Sequence, residues 1–168
     1  MKSLHPIFLL LCLSFLLAPA CSQVKPRQET KTNLKAQIKL KVEKAIQECV
    51  QDISVVSDLN NTTEFWQICE LDQKRRLIKI ESYTDGILYQ EIYFEAENDL
   101  IYAKETEQMM PKNHFAQSIW NCEYFTQNGE ILNTMSLGHG KTESEDWQAE
   151  SIFELYQQRL KELKSFKN

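Results

Sequence analysis

The sequence predicts an α+β domain, with a helix near each end and an antiparallel meander of five or six strands between them. Apolar residues recur every three or four positions up to residue 53, and they alternate with polar residues between Phe65 and Leu137. Short turn signals, of which Asn128-Gly129 is the clearest, separate the alternating runs. Helical spacing returns after Gly140.

The first helix is predicted from Asn33 to about Ile53. Its apolar residues fall on one stripe, which is typical of a surface helix that buries one side. The residues of this stripe are Leu34, Ile38, Val42, Ala45, Ile46, Cys49 and Ile53. The polar stretch Asn60-Asn61-Thr62 then predicts a turn.

The strand region is predicted from Phe65 to Leu137. Its strand-like runs are Phe65–Leu71, Arg76–Tyr83, Ile87–Glu95, Leu100–Glu105, Ala116–Phe125 and Glu130–Leu137. Asp85-Gly86 and Asn128-Gly129 suit tight hairpins, which need positive φ at both central residues. Short turns between consecutive strands favour an antiparallel meander.

The second helix is predicted to follow a capping box, because Thr142 stands three residues before Glu145, and to run to about Lys164. Its apolar stripe comprises Ala149, Ile152, Phe153, Tyr156, Leu160 and Leu163. Each helix must bury its stripe, and the simplest prediction places both helices on one face of the sheet.

The N-terminus has the pattern of a signal peptide over residues 1–20. Lys2 gives a short positive start, and 12 residues from Ile7 to Ala18 form an apolar run interrupted only by Ser14. That run is about 18 Å long as a helix, too short for a bilayer core that needs about 20 residues. Ala18-Pro19-Ala20 is an A-x-A cleavage site.

Cys21 is predicted to carry a bacterial lipid anchor, because small residues directly precede it and polar residues follow. The predicted domains are a signal peptide at 1–20, a lipid-anchored flexible tether at 21–32, and one α+β domain at 33–168. Ala18 departs from the Leu that usually stands three residues before such a cysteine. A secreted protein cut after Ala20 and a retained N-terminal anchor are the alternatives.

Composition and charge narrow the classes of partner. Hydrophobic residues make up 42% of the chain and charged residues 26%, which is ordinary for a globular protein. The net charge is −5, and it becomes −6 once residues 1–20 are removed. An acidic chain argues against nucleic-acid binding and gives no polybasic route to an anionic membrane surface.

The cysteines that remain after processing are Cys49, Cys69 and Cys122, besides Cys21. If a disulfide forms, Cys69 and Cys122 are the preferred pair, because both lie on predicted strands. Three unpaired, buried thiols are the leading expectation, and Cys49 on the helix stripe is interpreted as a small buried hydrophobe. The cysteine spacing contains no C-x-x-C, so neither a metal site nor a cofactor is predicted.

Chemistry cannot be assigned to any residue from these patterns, and no catalytic residue is predicted. His114 and His139 stand alone, without a neighbour at the spacing of a triad or a ligand pair. The segment Gly138-His139-Gly140-Lys141-Thr142 ends like a P-loop, but Met135 occupies the position where its first Gly is required. We therefore interpret it as a strand-to-helix connection.

Aromatic residues on the predicted strands suggest a binding surface. If both helices cover one face, the other face could present Tyr89, Tyr93, Tyr102 and Trp120 to a protein or glycan. The alternative is that these rings pack across strands within the core, as aromatic residues in sheets usually do.

The chain resembles the uncharacterised small lipoproteins of Gram-negative bacterial envelopes. The resemblance lies in the processing site Leu17–Ser22 and in two strand-turn-strand units, Tyr93-Phe94 with Leu100-Ile101-Tyr102 and Tyr124-Phe125 with Ile131-Leu132. It implies a lipid-anchored location, on the periplasmic or outer-membrane face, and brings no activity with it. The leading hypothesis is a non-enzymatic module that binds a protein or glycan; an inhibitor or immunity protein and an enzyme are the alternatives.

Overall fold

The computed structural model describes residues 26–50, 53–58, 62–109 and 119–166, which form an antiparallel sheet and two helices. Helix α1 spans Pro26–Glu48 and helix α2 spans Ser151–Ser165. The strands are β1 Ile53–Ser57, β2 Glu64–Glu70, β3 Arg75–Thr84, β4 Ile87–Ala96, β5 Asp99–Met109, β6 Ile119–Gln127 and β7 Glu130–Leu137. The signal peptide at 1–20, Cys21 and His114 lie outside the described residues.

The sheet is a meander in which every strand pairs with its neighbours in sequence, in the order β1 to β7. The α+β class and the antiparallel sheet are confirmed. The hairpin turns are as predicted: Asp85 and Gly86 have φ of 53° and 81°, and Asn128 and Gly129 have φ of 54° and 72°.

The prediction of five or six strands is wrong, because the described sheet has seven. The additional strand is β1, of only five residues, which pairs with β2 and places Val56 opposite Phe65. The sequence pattern assigned Ile53 to the first helix, whereas α1 ends at Glu48.

The bounds of both helices also differ from the prediction. Helix α1 begins at Pro26, a residue whose fixed φ suits the first turn of a helix. Residues 26–32, predicted as part of a flexible tether, are therefore helical. Helix α2 begins at Ser151, and the predicted capping box at Thr142 belongs instead to a single 3₁₀ turn, Lys141–Glu143.

The two helices cover opposite faces of the sheet, which corrects the prediction that they share one. On the face that we call the α1 face, Ile38, Val42 and Ala45 pack on Leu77 and Phe94. The opposite side, the α2 face, packs against α2 through a second cluster, which contains Trp66, Ile68, Ile78, Ile80, Tyr93, Leu100, Ala103, Trp120, Cys122, Tyr124, Ile152, Tyr156 and Leu163.

Consecutive residues of the central strands explain why the two helices cover opposite faces of the sheet. Successive side chains of a strand point to opposite faces, yet both members of pairs such as Leu77-Ile78 and Tyr93-Phe94 are fully buried. A sheet that is apolar on both sides needs a cover on both sides. One helix from each end of the chain supplies them.

Candidate functional site

Three of the four aromatic residues predicted to bind a partner are buried in the core. Tyr93, Tyr102 and Trp120 are 0%, 4% and 2% exposed, and Tyr89 is half-buried. Tyr93 and Trp120 lie under α2, and Tyr102 lies on the α1 face. The prediction of an exposed aromatic face is therefore wrong for these three, because helices cover both faces.

Polar atoms of the buried rings have specific partners. The Tyr93 hydroxyl donates to a Glu91 carboxylate oxygen at 2.7 Å, and the Tyr102 hydroxyl donates to Glu123 at 2.9 Å. The Trp120 indole N–H donates to the Thr142 hydroxyl at 3.0 Å. Burial raises the pKa of both tyrosines, and the adjacent carboxylates raise it further. These rings therefore serve the core.

The disulfide joins Cys49 to Cys69, with their Cα atoms 5.5 Å apart, and ties the end of α1 to β2. This corrects both the expectation of three unpaired thiols and the preferred pairing of Cys69 with Cys122. Cys69 belongs to the α1 face and Cys122 to the α2 face, so the sheet itself separates them. Cys122 is a buried free cysteine, and burial raises the pKa of its thiol, which disfavours the reactive thiolate.

Residues 138–142, which end like a P-loop, pack against Trp120. An atom at the Cβ position of Gly140 would lie 2.4 Å from Trp120 Cγ, so only glycine allows this approach. Thr142 accepts the indole hydrogen bond, and Lys141 pairs with Glu105. His139 is exposed, with its Nδ1 2.6 Å from a Glu143 carboxylate oxygen.

A charge network lies between α2 and the sheet, with Arg159 at its centre. Arg159 binds Glu91 in a bidentate pair, at 2.8 Å from Nε and 2.6 Å from Nη2. Its Nη1 lies 3.1 Å from Glu64 and 2.8 Å from Glu162. Burial opposes the positive charge, but the three carboxylates outweigh it and raise the pKa of Arg159 above its ordinary value.

Two carboxylates of β5, Glu105 and Glu107, extend this network towards β6. Glu105 accepts a hydrogen bond from the Tyr124 hydroxyl at 2.6 Å and pairs with Lys141. Burial, and then the Glu105 charge, raise the pKa of Glu107, while Lys141 lowers it. The network was not predicted, because its members are spread over four strands and a helix. Glu64, Glu91 and Glu105 are bound to structural partners.

Neither a metal site nor a membrane span is found in the part of the chain that the structure describes. Within the described ranges, no group of three or more His, Cys, Asp and Glu side chains could hold a metal ion. No helix among those residues combines the length and the hydropathy that crossing a bilayer requires.

A cleft of about 900 Å³ opens between α1 and the turns at one end of the sheet. Its rim carries Lys41, Lys44, Lys74 and Arg75, and its floor includes Phe94. Most of these cations already have partners: Lys74 pairs with Glu97, Arg75 with Asp72, and Lys44 with Glu48. The cleft is therefore close to neutral and offers no strong charge to a ligand.

Exposed apolar side chains gather at the opposite end of the α1 face. Val56, Phe65 and Tyr83 are 62%, 54% and 58% exposed, and we call them the open-end patch. Val56 is directly opposite Phe65, and Tyr83 lies two residues beyond Glu81, the partner of Phe65 in β3. Such diagonal neighbours are within reach of aromatic side chains.

The open-end patch lies next to one edge of the described sheet. Phe65 is four residues, or about 13 Å, along β2 from Cys69, where α1 is tied down. In the described sheet β1 pairs with β2 alone, so its outer backbone groups face away from the sheet. The sequence predicted that the aromatic residues Phe65 and Tyr83 lie on strands, but it did not indicate that their side chains are exposed.

No protein-family model matches the chain, and neither a curated protein nor a solved structure matches it. Function must therefore be argued from the surfaces of this chain alone.

Proposed function

We propose that the protein is an exported envelope lipoprotein, anchored through Cys21, whose domain binds a partner protein without catalysis. The signal-peptide pattern at residues 1–20 motivates the export. The Cys49–Cys69 disulfide supports it, because disulfides form and persist in oxidising compartments such as the periplasm.

The open-end patch carries the binding proposal. Three large apolar side chains that are each more than half exposed, grouped on one face, are typical of an interaction site rather than of scattered surface residues. The adjacent strand β1 is an edge strand of the described sheet, and an edge strand is a template for pairing with another chain. Together they suit an extended segment of a partner protein.

In this binding mode the partner segment adds as a strand beside β1. Backbone hydrogen bonds supply affinity, and alternate side chains of the segment supply specificity. One side of the added strand would pack apolar residues against Val56 and Phe65, which are paired across β1 and β2. The proposed partner is therefore a protein with an exposed apolar, extended segment.

The other surfaces support this choice. The acids near α2 are held by Arg159, Lys141 and tyrosine hydroxyls, which gives them a structural role. The cations of the turn-end cleft are largely paired with carboxylates. The open-end patch, in contrast, exposes side chains that would gain from leaving water, at about 25 cal/mol per Å².

The test is site-specific photo-crosslinking in intact cells. A crosslinker at Val56 should capture a defined envelope protein, and Phe65→Asp should abolish that product. The matched control is a crosslinker at Leu137, which is 61% exposed at the end of the other edge strand, β7. Equal products from both positions, or none from Val56, would contradict the proposed site. A captured protease or toxin would specify an inhibitory or immunity role.

The anchor is tested separately by labelling cells with a fatty-acid probe. Wild type should incorporate the probe, and Cys21→Ala should not. Equal labelling of the two chains would refute lipidation at Cys21, and it would leave the β1 binding site to be judged by crosslinking alone.

A further inference from the structure

Charge is divided unequally between α1 and the rest of the chain. Helix α1 holds six cations and three carboxylates, a net charge of +3. Residues 49–168 hold 11 cations and 21 carboxylates, a net charge of −10. The acidic total therefore conceals one basic element at the N-terminal end of the domain.

Three exposed lysines of α1, Lys39, Lys41 and Lys44, lie on or beside the side of the helix that faces away from the sheet. Ile38, Val42 and Ala45 face the sheet and are at most 4% exposed. Leu40 lies on the opposite side and is 66% exposed. Lys31 precedes Ile38 by about two helical turns and so lies on the sheet side of the helix, and Lys35 packs over the Phe125 ring of the sheet. The outer surface of α1 thus combines Leu40 with Lys39, Lys41 and Lys44, of which Lys44 pairs with Glu48, and it also carries the exposed Glu43.

We propose that this outer surface of α1 lies flat on an anionic phospholipid membrane, an inference that rests on the proposed anchor at Cys21. Pro26 follows Cys21 by five residues, which span at most about 17 Å. The anchor therefore holds the start of α1 close to the lipid headgroups.

The spacing of the lysines selects a flat orientation over an upright one. Lys39 and Lys44 are 13 and 18 residues beyond Pro26, or about 20 and 27 Å along the helix axis. A helix standing on its N-terminus would hold them well beyond the Debye length of about 8 Å at physiological salt. A flat helix brings Lys39, Lys41 and Lys44 to the headgroups, where each contributes attraction.

The acidic remainder of the domain enforces the same orientation. Its net charge of −10 is repelled by anionic headgroups, so the domain would turn its basic helix inwards. The edge of β1 stays accessible, because a strand added there lies in the plane of the sheet, about one helix diameter, or roughly 10 Å, from the bilayer.

Vesicle sedimentation tests the surface without the anchor. The chain from residue 21 onward, carrying Cys21→Ser, is mixed at about 50 mM salt with vesicles of phosphatidylglycerol or of phosphatidylcholine. It should sediment with the anionic vesicles only. The variant Lys39→Gln/Lys41→Gln should bind about 30-fold more weakly, since each lysine near an anionic surface contributes about fivefold.

A matched control keeps the net charge of the double variant. Lys161→Gln/Lys164→Gln removes two exposed lysines from α2 and should bind anionic vesicles as wild type does. Equal losses in both variants, or no loss in the α1 variant, would overturn the proposal. Displacement by millimolar inorganic phosphate, beyond the effect of matched sodium chloride, would also overturn it in favour of a discrete phosphate site.

Lysine acetylation of the acylated chain in anionic vesicles gives a second readout. Lys39 and Lys41 should be protected several-fold relative to neutral vesicles, and Lys161 and Lys164 should not change. If Cys21 incorporates the fatty-acid probe but Lys39 and Lys41 are not protected from acetylation, the flat helix is refuted and the anchor stands. An unlabelled Cys21 with vesicle binding intact would refute the anchor alone. If a crosslinker at Lys41 captures a protein, this surface binds a protein partner and the membrane proposal is overturned.

Discussion

Replacing Arg159 by Met tests the charge network under α2. Met retains an unbranched apolar stem and removes the guanidinium, so the change isolates the charge and its hydrogen bonds. The guanidinium binds Glu91, Glu64 and Glu162. The side chain of Arg159 is 11% exposed, and those of the three acids are 16%, 9% and 12% exposed.

The expected loss of stability is large. Removing one partner of a buried ion pair destabilises a protein by about 3–5 kcal/mol, because the remaining charge stays buried without compensation. Here a single change removes the countercharge of three carboxylates, although Glu91 and Glu64 keep the hydrogen bonds that Tyr93 and Trp66 donate to them. Arg75→Met is the matched control: its guanidinium binds Asp72 and Glu48, but the three side chains are 33%, 45% and 35% exposed. That change should cost less than about 1 kcal/mol.

The measurement is urea unfolding followed by tryptophan fluorescence, which reports on the buried Trp66 and Trp120. Arg159→Met should lower the free energy of unfolding by at least about 2 kcal/mol more than Arg75→Met does. Adding Glu91→Gln to the Arg159→Met chain should recover part of the loss, since it removes one uncompensated charge. Equal losses in the two arginine variants would show that the network is solvated, and the reasoning would fail.

Three further changes probe other contacts. Replacing Cys49 and Cys69 by Ser should lower the free energy of unfolding by about 2–4 kcal/mol, and intact-mass analysis under non-reducing conditions should show the disulfide in wild type; a wild-type mass with both thiols free would contradict the pairing. Gly140→Ala should cost about 1–3 kcal/mol and alter the near-ultraviolet dichroism of Trp120, because its Cβ would clash with that ring; an unchanged spectrum and stability would refute the close approach. Because the pKa of Glu107 is raised, the folded chain holds the proton of this carboxyl more tightly than the unfolded chain does. The ionisation of Glu107 therefore lowers the free energy of unfolding as the pH rises above 4.5, the ordinary pKa of the group. Glu107→Gln should therefore be more stable than wild type at pH 7 by less than about 1 kcal/mol, with the advantage lost below pH 4.5; an advantage that persists at low pH would contradict this origin.

Local features of the sheet were predictable because local chemistry decides them. Asn128-Gly129 and Asp85-Gly86 allow the left-handed backbone that a tight hairpin needs, and both pairs form such turns. Once consecutive strands are joined by short turns, antiparallel pairing in sequence order follows. The alternating pattern also placed β3 and β4 within one or two residues of their observed bounds.

Features that depend on tertiary packing were not predictable in the same way. The five residues of β1 are too few to show a period, and they adjoin a helical pattern. The placement of the helices required noticing that Leu77-Ile78 and Tyr93-Phe94 bury both members of each pair. The partner of Cys69 depended on which face it occupies, and a slip of one residue would reverse that.

The candidate site was the least predictable part. The sequence drew attention to Tyr93, Tyr102 and Trp120 because aromatic residues are common at binding surfaces, but all three are core residues. Among the described residues, the exposed rings are those of Phe65 and Tyr83, at the strand ends that α1 does not reach. Exposure at those positions is set by where a distant helix lies, which no local pattern encodes.

The placement of the helices at the two ends of the chain has a consequence for the order of folding. All strand pairings join neighbours in sequence, so the sheet can assemble quickly through short-range contacts. Its α2 face, which contains Trp66 and Trp120, stays uncovered until residues 151–165 are available. A chain that emerges from a membrane N-terminus first would therefore complete its core only when its final helix has crossed. Deletion of α2 should accordingly leave a sheet that aggregates rather than a smaller stable domain.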